Sequence, residues 1–425
     1  MIATVRPSSI GGSIQVPTSK SAMQRALAAS LIRVGRTLLR NPGHSADDLA
    51  ALRCIRALGA TVTCHPDLWV VDSQGIRPTA EQLDCGESGL SIRMFTPLAA
   101  LSATPMRIVG AGSLAKRPMH FFEHSLPALG VQVALNKGHL PIDLIGPLKP
   151  ANISVDGSLS SQFLTGMLMA YSAAATTDVM IEVNDLKSRP YIDLTIEVLD
   201  RFGLSTPRND SYERFYFDAP KPRSEVIELD YSVESDWSGA SFWYVAAAIA
   251  GKIELRGLDR SSAQADRAID DLCRSAGMGI HLSESHFQID QGLPTAFAFD
   301  ATDCPDLFPP LVALASHING VSVIHGTERL THKESDRANT LKSEFGKLGI
   351  TIELRGNDML ISGGTGMRGG VVSSHGDHRI AMALAVAALG AESPVQIEEA
   401  ESVRKSYPDF WNDLQSVGAS LSLTD

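Results

Sequence analysis

Leu126-Pro-Ala-Leu-Gly130-Val-Gln-Val133 ends a helix, passes through one glycine and enters a β-like run. Gly is the residue expected just past a helix end, where the backbone turns left-handed. The same order stands at Ile55-Arg-Ala-Leu-Gly59-Ala-Thr-Val62, Leu199-Asp-Arg-Phe-Gly203-Leu204 and Cys273-Arg-Ser-Ala-Gly277-Met-Gly-Ile280. It stands again at Phe345-Gly-Lys-Leu-Gly349-Ile-Thr-Ile352 and Leu414-Gln-Ser-Val-Gly418-Ala-Ser-Leu421. The six glycines lie 71, 73, 74, 72 and 69 residues apart. So even a spacing marks an internal repeat.

Outward from each glycine the order is shared. One or two strand-like runs come first, such as Leu68-Trp-Val-Val-Asp72. A long Ala-rich helix, a strand such as Met106-Arg-Ile-Val109 and an amphipathic helix lead to the next glycine. The long helices are expected at 22–31, 90–101, 161–171, 238–250, 307–316 and 379–389. They are apolar almost all round, so each should be buried under its own sheet. The expected fold class is α/β, with six copies of one unit dividing three and three. Lys221-Pro-Arg-Ser-Glu-Val-Ile-Glu-Leu-Asp230 lies in a plausible boundary near 222–235. If the first strand pairs with the last units, 1–15 joins 232–425 in a discontinuous domain and 16–231 forms the other.

Composition agrees with this size. A chain of 425 residues is too long for one core, and 44 % apolar with 20 % charged residues is ordinary for a globular protein. Cys54, Cys64, Cys85, Cys273 and Cys304 are scattered and odd in number, which fits a reducing compartment better than disulfides or a zinc knuckle. The start MIATVRPSSI has no signal-peptide pattern, and no run is long enough to span a membrane. A cytoplasmic location is expected. The net charge of −11 argues against a nucleic-acid partner.

The polar motifs fall at corresponding places in the repeat. The long helices open with Ser19-Lys20-Ser21 and Arg25, Gly86-Glu-Ser-Gly89 and Arg93, and Gly157-Ser-Leu-Ser160-Ser161-Gln162. The other three open with Glu234-Ser-Asp236, Asp303-Cys-Pro-Asp306 and His375-Gly-Asp377-His378-Arg379. Second helices open with Lys116-Arg117-Pro118, Ser188-Arg189-Pro190-Tyr191, Lys333-Glu334-Ser335-Asp336-Arg337 and Arg404-Lys405-Ser406-Tyr407-Pro408. Helix N-termini attract anions, and the dipole disfavours cations there. Lys and Arg at so many starts therefore point to a shared anionic ligand, which parallel helices would bring into one cleft between two domains. Taken singly, Ser160, Asp236 and Asp377 read as caps, His378 as a satisfied polar residue and Arg93 as a surface ion-pair partner.

Together the motifs resemble the EPSP synthase (3-phosphoshikimate 1-carboxyvinyltransferase) family of enolpyruvyl transferases. The resemblance runs from Pro17-Thr-Ser-Lys-Ser21 to Lys405-Ser-Tyr-Pro-Asp409. Its most specific parts are SKS-x-x-x-R (Ser19 to Arg25), DGSLSSQF (Asp156 to Phe163), KESDR (Lys333 to Arg337) and DHR-x-AM (Asp377 to Met382). It implies two similar domains of three βαβαββ-type units each, an inside-out α/β barrel, with the active site in the interdomain cleft. It implies that Lys20, Ser21, Arg25, Ser160, Ser161, Gln162, Ser188, Asp306 and Lys333 hold shikimate 3-phosphate. Phosphoenolpyruvate falls to Lys20, Gly89, Arg117, Gln162, Arg337, Arg379 and Lys405. Asp306 is the expected base and Glu334 the expected acid of an addition-elimination, with Lys20 assisting. The resemblance implies no cofactor, no metal and a monomer.

Some positions depart from the family pattern. Glu87 and Leu90 replace residues of an Asn-Ala-Gly-Thr loop beside the expected phosphoenolpyruvate site, which glyphosate occupies in the family. Trp237 is bulkier than usual, and Gly376 precedes Asp377-His378-Arg379 in place of Asn or Thr. The sister family acting on a UDP-sugar resembles the chain less, because its reactive Cys has no counterpart in Ala111-Gly-Ser-Leu-Ala-Lys116. A ring-like clamp or nucleic-acid scaffold of six α/β units, whose basic helix starts line a channel for phosphates, and an inactive sensor of an anionic metabolite are the readings from other classes.

Overall fold

In the computed structural model, which describes residues 1–158, 160–219, 228–283, 286–331 and 333–425, all six repeat glycines are left-handed. Their φ angles run from +63° at Gly203 to +109° at Gly59. Each follows the second helix of a repeat, where a side chain would strain the turn.

The repeat is clearest around Ile153–Asp156. That strand is parallel to Val179–Asn184, which is antiparallel to Arg214–Phe217, which in turn pairs with Arg208–Asp210. The helix Ser161–Ala174 joins the first two strands and Pro190–Arg201 precedes the hairpin, giving βαβαββ. The sheets built on Gln82–Asp84 and Ala298–Asp300 follow the same order without interruption.

The other three sheets keep the pattern by borrowing a strand. Glu228–Ser232 takes the parallel place beside Gly35–Arg40. Ile10–Gln15 lies parallel to Gly251–Arg256, although the chain between them is a whole unit long. Ile2–Val5 sits antiparallel between Val395–Glu398 and Leu421–Thr424, so the two ends of the chain share a sheet. The chain thus divides into two compact units, 20–234 and 1–19 with 235–425. The divisions fall a few residues beyond 15 and 231. Strand pairing keeps Glu228–Ser232 with unit 20–234, and a bridge between Thr18 and Ser235 ties both crossing segments to the other unit. Residues 220–227, which include the start of the expected boundary at 222–235, and Leu159 of DGSLSSQF lie outside the described residues.

Within each unit the long helices pack on one another, as their all-round apolar character requires. Trp237–Ala250 is buried at every position but Ile249, and His378–Ala388 at every position. Trp237 fits without an orphaned polar atom: its indole N–H donates to the Asp259 carbonyl at 2.9 Å. Gly166 brings Ser161–Ala174 against Gly89–Ala99, since a Cβ there would stand 2.9 Å from Met94 Cα. No helix among the described residues is long and apolar enough to cross a membrane.

Candidate active site

In unit 20–234 the first helix, Lys20–Ile32, opens on a cation. Lys20 Nζ lies 2.9 Å from Asp47 Oδ2, and both side chains are largely buried. Asp47 stands in the first turn of Ala46–Ala57, where a carboxylate suits the helix dipole. Arg25, one turn further on, is fully buried and spends its donors on the protein. Nε donates to Thr195 Oγ1 at 2.9 Å and Nη1 to the Ser21 carbonyl at 2.8 Å. Nη2 donates to Thr165 Oγ1 at 3.4 Å and to the Tyr191 carbonyl at 3.2 Å. Burial draws this guanidinium down to about 10. Arg25 therefore first of all fixes the backbone at Ser21, a role its helix position alone does not reveal.

The second long helix gathers the next group. Ser88 caps it, accepting from the Ser91 N–H, and both hydroxyls donate to Gln24 Oε1. Arg93 is not a surface residue. It is buried, and Nη1 donates to Gln162 Oε1 at 2.9 Å and to the Gly89 carbonyl at 3.3 Å. Its guanidinium also lies over Phe121. A Cβ on Gly89 would meet Arg117 Nη1 at 2.7 Å and Arg93 Nη1 at 3.0 Å. Only glycine lets both guanidinia approach the backbone there. Gly89, Arg93, Arg117 and Gln162 thus form one cluster. Ser160 caps the next helix through the Gln162 N–H, with Ser161 buried in its first turn. Ser188 is buried in a left-handed conformation just before Pro190–Arg201. Leu90 is buried, while Glu87 is exposed and lays its carboxyl against Gly112.

In the other unit the charges answer one another. Arg337, fully buried at the start of Arg337–Lys347, binds three carboxylates. Nη1 donates to Asp306 Oδ1 at 2.8 Å, Nη2 to Glu334 Oε2 at 2.7 Å, and Nε to Asp377 Oδ2 at 2.9 Å. Burial opposes this charge, yet Asp377, Glu334 and Asp306 together hold the group above the ordinary arginine value. Asp377 also caps His378–Ala388 through the Arg379 N–H and accepts from Ser335. Lys333 Nζ lies 3.2 Å from Asp306 Oδ1 and Arg379 Nη2 lies 3.1 Å from Oδ2. Lys405 Nζ lies 4.0 Å from Glu334 Oε1. Burial pushes Asp306 up, but Arg379, Lys333 and Arg337 overrule it and keep it well below the usual carboxylate range. Burial draws Lys333 below the usual ammonium value. The cations at these helix starts thus already have carboxylate partners within the chain.

Two acidic residues escaped the sequence reading. Asp266 is fully buried, is hydrogen-bonded by Ser238 and has no partner for Oδ1 among the described residues. Burial, with Asp306 close by, pushes it to about 6. Asp266 and Asp47 both stand at the openings of second helices, the places where the repeat was read for basic residues. The repeat itself was the signal that would have found them.

A sequence profile described as EPSP synthase (3-phosphoshikimate 1-carboxyvinyltransferase) matches residues 5–414. Among curated proteins, the chain is 37 % identical over 419 residues to a 3-phosphoshikimate 1-carboxyvinyltransferase from Aeropyrum pernix, covering 98 % of the chain and 96 % of that protein. It is 32 % identical over 422 residues to one from Clostridium perfringens, covering 98 % of each. Among solved structures it is similar in fold to an EPSP synthase from Acinetobacter baumannii, with TM-score 0.83, 22 % identity and full coverage of both chains. It is also similar to the enolpyruvyl transferase NikO from Streptomyces tendae, with TM-score 0.80 and 16 % identity, over 100 % of this chain and 98 % of that one.

Proposed function

The chain belongs to the EPSP synthase family, and on that premise we infer that it moves the enolpyruvyl group of phosphoenolpyruvate to the 5-hydroxyl of shikimate 3-phosphate, releasing phosphate. The observation that carries the assignment of roles is Arg337 holding Asp306 at 2.8 Å and Glu334 at 2.7 Å. One buried guanidinium sets a proton acceptor and a proton donor beside each other at a fixed spacing. Addition across the phosphoenolpyruvate double bond needs such a pair. Asp306 takes the proton of the attacking hydroxyl while Glu334 delivers one to C3 and the new C–O bond forms at C2. Loss of a C3 proton and of phosphate from the tetrahedral intermediate completes the transfer.

Positive charge stabilises the anions throughout. Arg379, Lys405, Arg117 and Lys20 face the phosphoenolpyruvate carboxylate and phosphate, with Gln162 and the Gly89 backbone. Lys20, Ser21, Ser160, Ser161, Gln162, Ser188 and Lys333 hold shikimate 3-phosphate. Arg25 and Arg337 serve by fixing Ser21 and the two carboxylates. Free cysteines, four of five buried as thiols, support a reducing, cytoplasmic setting. The enzyme works as a monomer in this reading.

The test is phosphate release from purified protein given phosphoenolpyruvate. Release that requires shikimate 3-phosphate supports the reading. Release only with a UDP-sugar acceptor, or with neither, overturns it.

A further inference from the structure

Gly370–Ser373 and Val395–Glu398 are parallel neighbours in one sheet, so the chain leaves both at the same end. The first runs through Ser374–Asp377 into His378–Ala388, whose first turn carries Arg379. The second runs through Glu399 into Ala400–Lys405, a 3₁₀ turn that closes with Lys405. Two cations that the proposed function gives to phosphoenolpyruvate therefore hang from two adjacent strand ends, the place where open α/β sheets take ligands. Both exits are tight. His375 and Gly376 are left-handed in succession, with φ +51° and +67°, and Glu399 is left-handed with φ +56°. Residues with side chains rarely adopt that backbone, and it persists only where the surroundings hold it.

Ser374 and Glu344 do the holding. Ser374 is fully buried between the exits. Its hydroxyl donates to the Glu399 carbonyl at 3.0 Å, and accepts from the Ser402 hydroxyl and the Gly376 N–H, each at 3.2 Å. Its carbonyl accepts the Asp377 N–H at 2.9 Å. Glu344 comes from Arg337–Lys347, two turns after Arg337 and on the same helix face. Its side chain is 1 % exposed, and Oε2 accepts the Ser373 N–H at 2.8 Å, with Lys347 Nζ 2.7 Å away. Oε1 meets His375 Nε2 at 3.0 Å and the Ser343 hydroxyl at 3.2 Å. Burial pushes this carboxyl up, but Lys347, the Ser373 N–H and His375 outweigh it and hold it below the usual glutamate value. One helix thus grips the first exit twice: Arg337 takes Asp377, and Glu344 takes Ser373 and His375.

We propose that Glu344 and Ser374 are positioning residues for phosphoenolpyruvate: Glu344 pins the first exit to the Arg337 helix, Ser374 pins the second exit to the first, and together they set Arg379 relative to Lys405. The inference rests on the proposed function for the assignment of Arg379 and Lys405 to that substrate. Neither Glu344 nor Ser374 is among the residues given to a ligand. What Glu344 supplies is an acceptor aimed at the Ser373 N–H, more than a charge. Its cationic partner Lys347 is half exposed and can be hydrated instead. The residues given to shikimate 3-phosphate alone lie mostly in unit 20–234, which these bonds do not touch.

Steady-state kinetics on both substrates tests this. Glu344→Leu removes every acceptor at similar bulk. It should raise the KM for phosphoenolpyruvate about tenfold or more, with kcat and the KM for shikimate 3-phosphate within about threefold, because misplaced binding groups cost on that scale. Glu344→Gln keeps an oxygen for the Ser373 N–H and should stay within about threefold of the wild type. Ser374→Ala loses one hydroxyl and should raise the same KM about three- to tenfold. Four results overturn the proposal: both KM values rising together, a loss confined to kcat, Glu344→Gln as damaging as Glu344→Leu, or Ser374→Ala without effect. Ser374→Ala decides the matter where Glu344→Leu does not fold. Should the wild type bind phosphoenolpyruvate without turning it over, the function falls, and the same comparison is read as Kd by calorimetry. A wild type that neither turns over nor binds phosphoenolpyruvate overturns both. An active wild type with unchanged KM in the variants removes this inference and leaves the function.

Discussion

Arg25 and Arg337 are buried guanidinia in corresponding halves of the chain, and their surroundings are opposite. Arg25 is held by two threonine hydroxyls and two backbone carbonyls, with Glu234 acting only at longer range. Arg337 is held by three carboxylates. Neutral oxygens satisfy the N–H groups but do not offset the lost hydration, so burial pulls Arg25 down to about 10. Carboxylates do both, and Arg337 rises. The difference separates two uses of one side chain. Around Arg25 the gain is packing and a fixed backbone. Around Arg337 the same geometry also arrays Asp306 and Glu334, groups that can exchange protons.

Removing carboxylates from the Arg337 cage should give the largest effect. Asp306→Asn and Glu334→Gln are each expected to lower kcat by roughly 100- to 10,000-fold with far smaller changes in KM for shikimate 3-phosphate. Steady-state kinetics on both substrates reads this. The matching change around Arg25, Thr195→Val, should leave kcat within about threefold and cost about 1 kcal/mol of stability. If Thr195→Val cuts turnover as deeply as Asp306→Asn, the contrast between the two arginines fails.

Removing the arginines themselves sharpens the point. Arg337→Met leaves Asp306, Glu334 and Asp377 crowded without their shared counter-charge, and is expected to cost about 3–5 kcal/mol in urea unfolding. Arg25→Met leaves only neutral acceptors unpaired, so about 2–3 kcal/mol is expected. Equal losses would mean that packing, not charge, dominates both sites.

Gly89→Ala is a smaller probe on the unit that holds Arg25. Its Cβ would stand 2.7 Å from Arg117 Nη1 and 3.0 Å from Arg93 Nη1, so the Arg117 guanidinium must shift to make room. The KM for phosphoenolpyruvate should rise about 10- to 30-fold, with kcat reduced less, since positioning rather than proton transfer is disturbed. A change confined to kcat would place Gly89 with the chemistry instead.

The repeat was legible because glycine past a helix end has a local cause that leaves a local trace. All six glycines named from spacing alone have positive φ, and the six long helices match their expected spans within a few residues. The cations were legible for the same reason: Lys or Arg at a helix start goes against the dipole and asks for an explanation. What answers them was not legible. The Asp377 and Asp306 carboxylates reach Arg337 from 40 and 31 residues away, and nothing in the KESDR segment names them. Arg93 read as a surface residue because charge is usually solvated. Its burial follows from Gly166, which draws two helices together, and from Gln162, which meets the guanidinium.

Asp48 extends the contrast to carboxylates and gives the smallest effect. It lies beside Asp47 in the first turn of Ala46–Ala57, is fully buried and forms a capping box with Ser45, whose N–H and hydroxyl both donate to Oδ2. Oδ1 has no partner among the described residues. Burial pushes the group to about 7; the Ser45 bonds and Lys20 pull it down, and Asp47 pushes it up. Unlike Asp306, it has no clasp of cations to overrule burial. A raised carboxyl binds its proton more tightly in the folded chain than in the unfolded one. Its stabilising contribution is therefore full below about pH 4 and is lost as the pH climbs through about 7. Asp48→Asn keeps an oxygen for the Ser45 N–H and cannot ionise. Between pH 5 and pH 8 the variant should gain about 1–2 kcal/mol on the wild type in urea unfolding. A constant difference would mean that Asp48 is already ionised in the folded protein at pH 5, and that Lys20 serves it as Arg379 serves Asp306.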